Sequence, residues 1–411
     1  MSDKIWRAKW VFPVASEAMA DAWVEVVDGV ISGLGTGKPP GVAIELGDCA
    51  LLPALVNAHT HLEFSDLPQP LGSPGMRFPD WIAAVVSARR ALAPDLATDA
   101  KRVAIELGLQ ESWRNGVGTV GEIASTPTSA NSYQGPVEVT MFHELLGMAP
   151  ERIEASWQLW HTLSAETNSI ELGLSPHAPY TVSLATVREA AERSARDKIP
   201  LAMHLAESSE EVEFVTQQTG PFRSLLERFG AWREDAWSGI AGFDPFLTEL
   251  QKGHRVQVVH GNYLSESQLR LLAARRDRMT LVHCPRTHAY FRHESHPIEL
   301  AWRLGVRIAL GTDSRASNPD LNLWSEARQA RAVSPAIPDD CWLRAMTLDA
   351  AYSLGREDRA GSLAVGQPFR PCVIELPESA PIEPDFGWLL QTDGCQPRPL
   401  SNGGIGRTHL A

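Results

Sequence analysis

The stretch ALLPALVNAHTHLE, residues 50–63, decides how the rest of the chain is read. An apolar run leads into His59-Thr60-His61. Residues i and i+2 of a strand point to the same side, so both imidazoles can reach one ion. Seven further short apolar runs follow: GVGTVGEI, VEVTMFHELLG, IELGLSPH, PLAMHLAES, VQVVHGN, MTLVHCP and VRIALGTDS. Helical windows such as DWIAAVVSARRAL, LATVREAAERSARD and SESQLRLLAARRD lie between them. Eight parallel-type strands alternating with helices predict an α/β fold, a (β/α)8 TIM barrel over residues 53–358. The segment from Glu213 to Arg255 is long for one strand-to-strand connection and reads either as a lid or as a surface excursion.

Outside the barrel, residues 1–52 read as short strands turning at Asp28-Gly29, a hairpin dipeptide. Residues 359–411 return to short strands punctuated by Gly and Pro, and GSLAVGQPFRPCVIELP is expected to pair with the amino-terminal strands in a small satellite β domain. The fragment GLGTGKPP superficially resembles a phosphate loop, but Ser32 stands where the first Gly belongs and Pro39 follows Lys38.

The chain's 411 residues exceed the roughly 250–300 at which a single core stops growing, which suits a barrel plus a smaller unit. Hydrophobic content of 44% with 21% charged residues excludes wholesale disorder. A net charge of −13 excludes a backbone-tracking nucleic-acid binder and a polybasic hold on anionic lipid. Five scattered cysteines without a C-x-x-C form neither a disulfide framework nor a thiolate zinc cage. With no signal-like apolar region in MSDKIWRAKWVFPVA and no apolar run approaching ~18 residues, a cytoplasmic location is expected.

Six of the 13 histidines, His59, His61, His177, His204, His260 and His283, stand at or near the carboxyl end of a candidate strand, as does Asp313. In a barrel these ends share one face, where the loops build the active site. His59, His61, His204 and Asp313 around an open position suit one divalent ion, Zn²⁺ or Fe²⁺. Taken alone, Asp313 in Thr-Asp-Ser reads as a capping residue. Glu207, three residues after His204, is placed beside such an ion to shuttle protons. Its acidic neighbours Glu210, Glu211 and Glu213 read as solvated face or helix start. His260 is suited to orient a nucleophile or stabilise developing charge. His177, before Pro179 and Tyr180, is a candidate substrate contact, whereas His283 in VHCP reads as a packed strand residue. Glu63 and Trp81 complete the candidate substrate contacts, with core packing as the alternative for Trp81. Several competing chemistries lack their motifs: there is no P-C-x-x-C, H-E-x-x-H, G-x-S-x-G or strand-to-helix G-x-G-x-x-G.

NAHTHLE, SPHAPYT, MHLAES, VVHGN, VHCPR, LGTDS and GSLAVGQ stand in this order along nearly the whole chain. The ordered set resembles the amidohydrolase superfamily, in the branch of cytosine and guanine deaminases, adenosylhomocysteine/methylthioadenosine deaminases, aminodeoxyfutalosine deaminases and triazine hydrolases. The resemblance implies a composite β-sandwich domain from both termini and a single metal on His59, His61, His204 and Asp313. It further implies Glu207 and His260 as proton shuttle and electrostatic partner, with His177 and Ser314 near substrate. No lysine closes the fourth strand, so a carbamylated-lysine two-metal site is not indicated. Two departures stand out: Pro368-Phe369-Arg370 where the family often has Ala-Asp, and His288 where many relatives have Asn. The expected activity is hydrolytic deamination of an amino-substituted heterocycle, purine-nucleoside-like or related, to the oxo product and ammonia. The expected partner is thus a small heterocyclic molecule, and a homodimer is the prior for such enzymes. Hydrolytic dechlorination or cyclic amide hydrolysis by the same metal is the alternative, and a non-catalytic scaffold the remote one.

Overall fold

The computed structural model describes residues 4–90, 94–125, 130–166, 170–237 and 239–400. Two sheets organise the chain. The first contains β1 (Lys4–Val11), β2 (Met19–Val27), β3 (Val30–Thr36), β4 (Ala43–Glu45) and β5 (Cys49–Pro53). β2 and β3 are joined at Asp28-Gly29, whose φ angles of 51° and 83° fit the primed turn that matches strand twist.

The barrel strands are β6 (Leu55–Thr60), β7 (Val117–Ala124), β8 (Glu138–Leu145) and β9 (Glu171–Pro176). They continue with β10 (Pro200–Leu205), β11 (Arg255–His260), β12 (Met279–His283) and β13 (Arg307–Leu310). All eight apolar runs of the sequence reading are therefore strands, each parallel to its neighbour. β14 (Pro371–Glu375) and β15 (Arg398–Pro399) then return to the first sheet, where β14 runs antiparallel to β5. The satellite order is β15-β14-β5-β1-β2-β3, with β4 beside β1, so both termini build it. The apolar run at residues 50–63 divides at Ala54: β5 belongs to the satellite sheet and β6 opens the barrel.

β6 and β7 are buried along their whole length, as expected for strands covered on both faces. Val56, Ala58, Phe142, Ala202, Val259 and Val282 belong to one buried cluster contributed by successive barrel strands. The barrel closes at the site itself. Thr60 bridges Asp313 in parallel, and the Asp313 N–H donates to the His59 carbonyl at 3.1 Å. Below that bridge, Asn57 donates to Thr312 Oγ1 at 2.7 Å and accepts from the Thr312 N–H at 3.1 Å. Gly311 is required by this closure, because a Cβ there would lie 2.8 Å from the His59 Cβ and 2.9 Å from its carbonyl oxygen.

The long excursion between β10 and β11 folds into helices Ser209–Gln217, Gly220–Arg228 and Asp244–Leu250. Phe222 stacks on Tyr180 with ring centroids 4.1 Å apart, and the buried Trp237 donates to the Pro179 carbonyl at 3.1 Å. This segment is packed wall.

Candidate active site

His59, the penultimate residue of β6, is fully buried with neither ring nitrogen hydrogen-bonded. Two orphaned nitrogens in a dry site are costly unless something coordinates one of them. One nitrogen each from His59, His61 and His204 lies within 4.8 Å of the others. His61 Nε2 is 3.3 Å from His204 Nε2, and Asp313 Oδ1 is 3.6 Å from His61 Nε2 and 3.8 Å from His59 Nε2. The tautomer of His204 follows from its hydrogen bond: Nδ1 donates to the His177 carbonyl at 3.1 Å, leaving the Nε2 lone pair aimed at His61. Such convergence of lone pairs and a carboxylate oxygen could hold a divalent cation, and three imidazoles with one carboxylate suit Zn²⁺.

A second trio, Glu207, His260 and Asp313, also brings one atom each within 4.8 Å. The backbone bends sharply to present it. Ala206, His260 and Asp313 have φ of 55°, 69° and 55°, left-handed conformations that cost of order 1–3 kcal/mol each and need surrounding structure to hold them. At Ala206 and Glu207 that support is Glu211, whose carboxylate accepts from the Ala206 N–H at 3.2 Å and from the Glu207 N–H at 2.6 Å. Asn262 donates to the Glu207 carbonyl at 2.7 Å. At His260 the support is His296, whose Nε2 donates to the His260 carbonyl at 2.9 Å.

Of the two sequence readings of Glu211, solvated face or helix start, the second holds: it lies in the first turn of helix Ser209–Gln217 and is fully buried, so the solvated face is corrected. The acidic run hides one carboxylate because Ser208 caps the helix, accepting from the Glu211 N–H at 3.2 Å and turning the first helical turn back under the strand end. Burial pushes the Glu211 carboxyl up to about 8 against the pull of its backbone donors.

Burial also sets the protonation states around the trio. Glu207 is held well above the ordinary carboxylate range by burial, then by the charges of Asp313 and Glu211, which favours its protonated form. Asp313 rises to about 6 through burial, opposed by hydroxyl donors including Ser317, which reaches Oδ2 at 3.0 Å. His260 is held well below its usual range by burial and by the neighbouring His204 and His59. Its Nε2 lies 3.5 Å from Glu207 Oε1.

These groups sit at the head of a cavity of about 510 Å³. Its lining includes Phe78, Trp81, Ile82 and Val85 from helix Phe78–Arg90 and Leu226, Phe229 and Trp232 of the excursion. Trp81 is a wall residue fixed by a 3.1 Å hydrogen bond from Nε1 to the Ala316 carbonyl. His177 and Ser314 also line the cavity, and burial lowers the His177 imidazole to about 4. Glu63 is a correction. It does not bound the cavity, because the turn Leu62–Phe64 directs it to Lys101, 3.1 Å away, and to Arg89 and Ser125. Its place in H-x-E mimicked a site residue, yet strand alternation ends at Thr60.

His283 is buried away from the cavity, with its ring 4.1 Å from that of His296. His288 faces His283, His293 and His296 and does not line the cavity. Sequence reasoning missed Glu144, which is buried at the end of β8 and does line it. The rule applied to strand-end histidines, extended to strand-end carboxylates, finds it in the string FHEL.

Residues 50–387 match the Amidohydrolase family, and the chain belongs to that family. It is a hydrolase acting on carbon–nitrogen bonds. A 5-methylthioadenosine/S-adenosylhomocysteine deaminase of Pyrococcus furiosus is 26% identical over 363 residues, covering 81% of this chain and 77% of that protein. An aminodeoxyfutalosine deaminase of Deinococcus radiodurans is 28% identical over 329 residues, covering 74% of this chain and 73% of that protein. Among solved structures, the aminofutalosine deaminase of Helicobacter pylori in complex with methylthio-coformycin superposes with a TM-score of 0.83 at 24% identity, covering 96% of this chain and 97% of that one. Among the described residues, no helix is long and apolar enough to cross a membrane.

Proposed function

We propose that this protein is a mononuclear metal aminohydrolase that removes the exocyclic amine of an adenosine-type nucleoside, giving the oxo purine and ammonia. The observation that carries the reading is the convergence of three imidazoles, one of them with neither nitrogen hydrogen-bonded, and the Asp313 carboxylate beside the buried Glu207 at the head of an apolar cavity. The nucleoside deaminases among its relatives support the choice of substrate class. His59, His61, His204 and Asp313 would hold one divalent ion, Zn²⁺ in preference to Fe²⁺. Bound there, the ion supplies Lewis acidity that makes water a nucleophile at neutral pH.

The chain's own groups manage the protons. Glu207 gives its proton to the ring nitrogen beside the amine-bearing carbon, so negative charge does not build up there as water attacks that carbon. Asp313, raised towards neutrality, accepts a proton from the attacking water. His260, held neutral, orients the incoming oxygen and Glu207. The amine leaves as ammonia after receiving a proton returned through Glu207, and the carbon retains the oxygen. Trp81 and Phe78, whose rings stack 5.7 Å apart, offer the flat apolar surface a purine needs.

Ammonia release from adenosine, 5′-methylthioadenosine and S-adenosylhomocysteine by zinc-loaded protein tests the reading. Release that disappears in Glu207→Gln while one metal per chain remains is the expected result. Metal-loaded protein that releases no ammonia from any nucleoside overturns it.

A further inference from the structure

Glu144 is the penultimate residue of β8 and His177 follows β9, so the two meet in the cavity lining from adjacent strands. His177 Nδ1 is 2.6 Å from Thr181 Oγ1. The Thr181 hydroxyl donates its one proton to the Ala178 carbonyl at 3.1 Å, so its oxygen can only accept from His177. Nδ1 therefore carries the imidazole proton and Nε2 presents a bare lone pair. That lone pair lies 3.9 Å from Glu144 Oε1. The two side chains thus face each other across a gap too long for a hydrogen bond. Arg89, on the same cavity, is engaged by Glu63 and by Ser125 Oγ, the latter at 2.9 Å. Among the described residues no chain donor reaches the Glu144 carboxylate. Glu144 is buried, and a buried acceptor that no chain donor reaches calls for an external one.

Resting on the deaminase reading above, we propose that Glu144 and His177 read the sugar of the nucleoside, one hydroxyl of its vicinal diol donating to the Glu144 carboxylate and the other to His177 Nε2. Glu144 is then the residue that restricts the enzyme to ribosides. It lies beside the metal set, with its carboxylate, His177 and His204 each offering an atom within 4.8 Å of the others. A sugar held there fixes the base against Glu207. The competing occupant of the same trio is a second cation.

The test compares adenosine with its 2′-deoxy and 3′-deoxy analogues on zinc-loaded protein, alongside the metal-to-protein ratio. Wild-type kcat/KM should fall roughly 10- to 100-fold for at least one deoxy analogue, as buried acceptors lose their donor. Glu144→Ala should lose activity on adenosine yet treat adenosine and that analogue alike, and Glu144→Gln should restore part of the discrimination through its amide oxygen. Deamination by wild type without sugar discrimination overturns this proposal and leaves the deaminase reading standing. So does a Glu144→Ala protein that slows all three substrates by one factor, the mark of a purely structural role. Two metals per wild-type chain falling to one in Glu144→Ala assigns the trio to a cation and overturns it as well. Failure to bind or turn over any nucleoside overturns both readings together.

Discussion

The satellite sheet and the carboxyl rim of the barrel are built on opposite terms. In β1 and β2 buried and half-exposed residues interleave, and Trp6, Val24, Val26, Ile31 and Leu51 share one apolar cluster. The charges there face water: Arg7 pairs with Asp21 at 2.7 Å across partly exposed side chains. Left-handed residues in this sheet, Asp21 and Asp28, are exposed. At the barrel rim the left-handed residues Ala206, His260 and Asp313 are buried, and so are Glu207, Glu211, His59, His204 and His283. The satellite sheet follows local rules of pattern and turn chemistry. The rim breaks them, and the rest of the barrel supplies the compensation, as expected where strain and buried charge serve chemistry.

Substitutions can break this contrast or sharpen it. Glu207→Gln removes the proton carrier and leaves the donor set, so turnover of adenosine should fall by about 10²- to 10⁴-fold with metal content unchanged by elemental analysis. Asp313→Asn acts on the donor set itself and should lower metal occupancy after dialysis, a loss that added zinc partly reverses.

Glu211→Gln probes the support beneath the strained strand end. The amide nitrogen would meet a backbone N–H that the carboxylate now accepts, so activity should drop with metal retained. It should also change stability with pH in a defined direction. A carboxyl at about 8 in the folded chain, against an ordinary value near 4.5 when unfolded, binds more protons folded than unfolded between those values. Its contribution is present below the unfolded value and is lost as pH rises towards 8. Denaturant midpoints from pH 5 to 8 should therefore fall more for wild type than for Glu211→Gln.

In the satellite sheet the effects should be on stability alone. Leu51→Ala empties a fully buried position and should cost about 2–5 kcal/mol in denaturant unfolding, with kcat unchanged. Arg7→Ala removes a partly exposed ion pair and should cost less than about 1 kcal/mol. A large activity loss in either variant would mean the two regions are coupled.

Much of the fold was legible because a barrel repeats one local unit. Each of the eight runs from β6 to β13 carries its own apolar signature, and Asp28-Gly29 marks its own hairpin. The gathering of the site residues was legible for a related reason. Strand ends open on one face, so His59, His61, His204 and Asp313, at or just past those ends, come together there. Glu63, Glu144 and Glu211 were misread or missed because their roles are set by what meets them from distant elements. The first is claimed by Lys101 and Arg89, the second faces His177, and the third is folded under Ala206 by the cap at Ser208.

The sequence by itself thus determined the strand count, the strand ends and the chemical types gathered at the rim, since periodicity and side-chain chemistry are local properties. Tertiary structure alone decided which carboxylates are dry, which tautomers His177 and His204 adopt and where the cavity walls stand. Those depend on desolvation and on hydrogen-bond partners far away in the chain, and no local pattern encodes them.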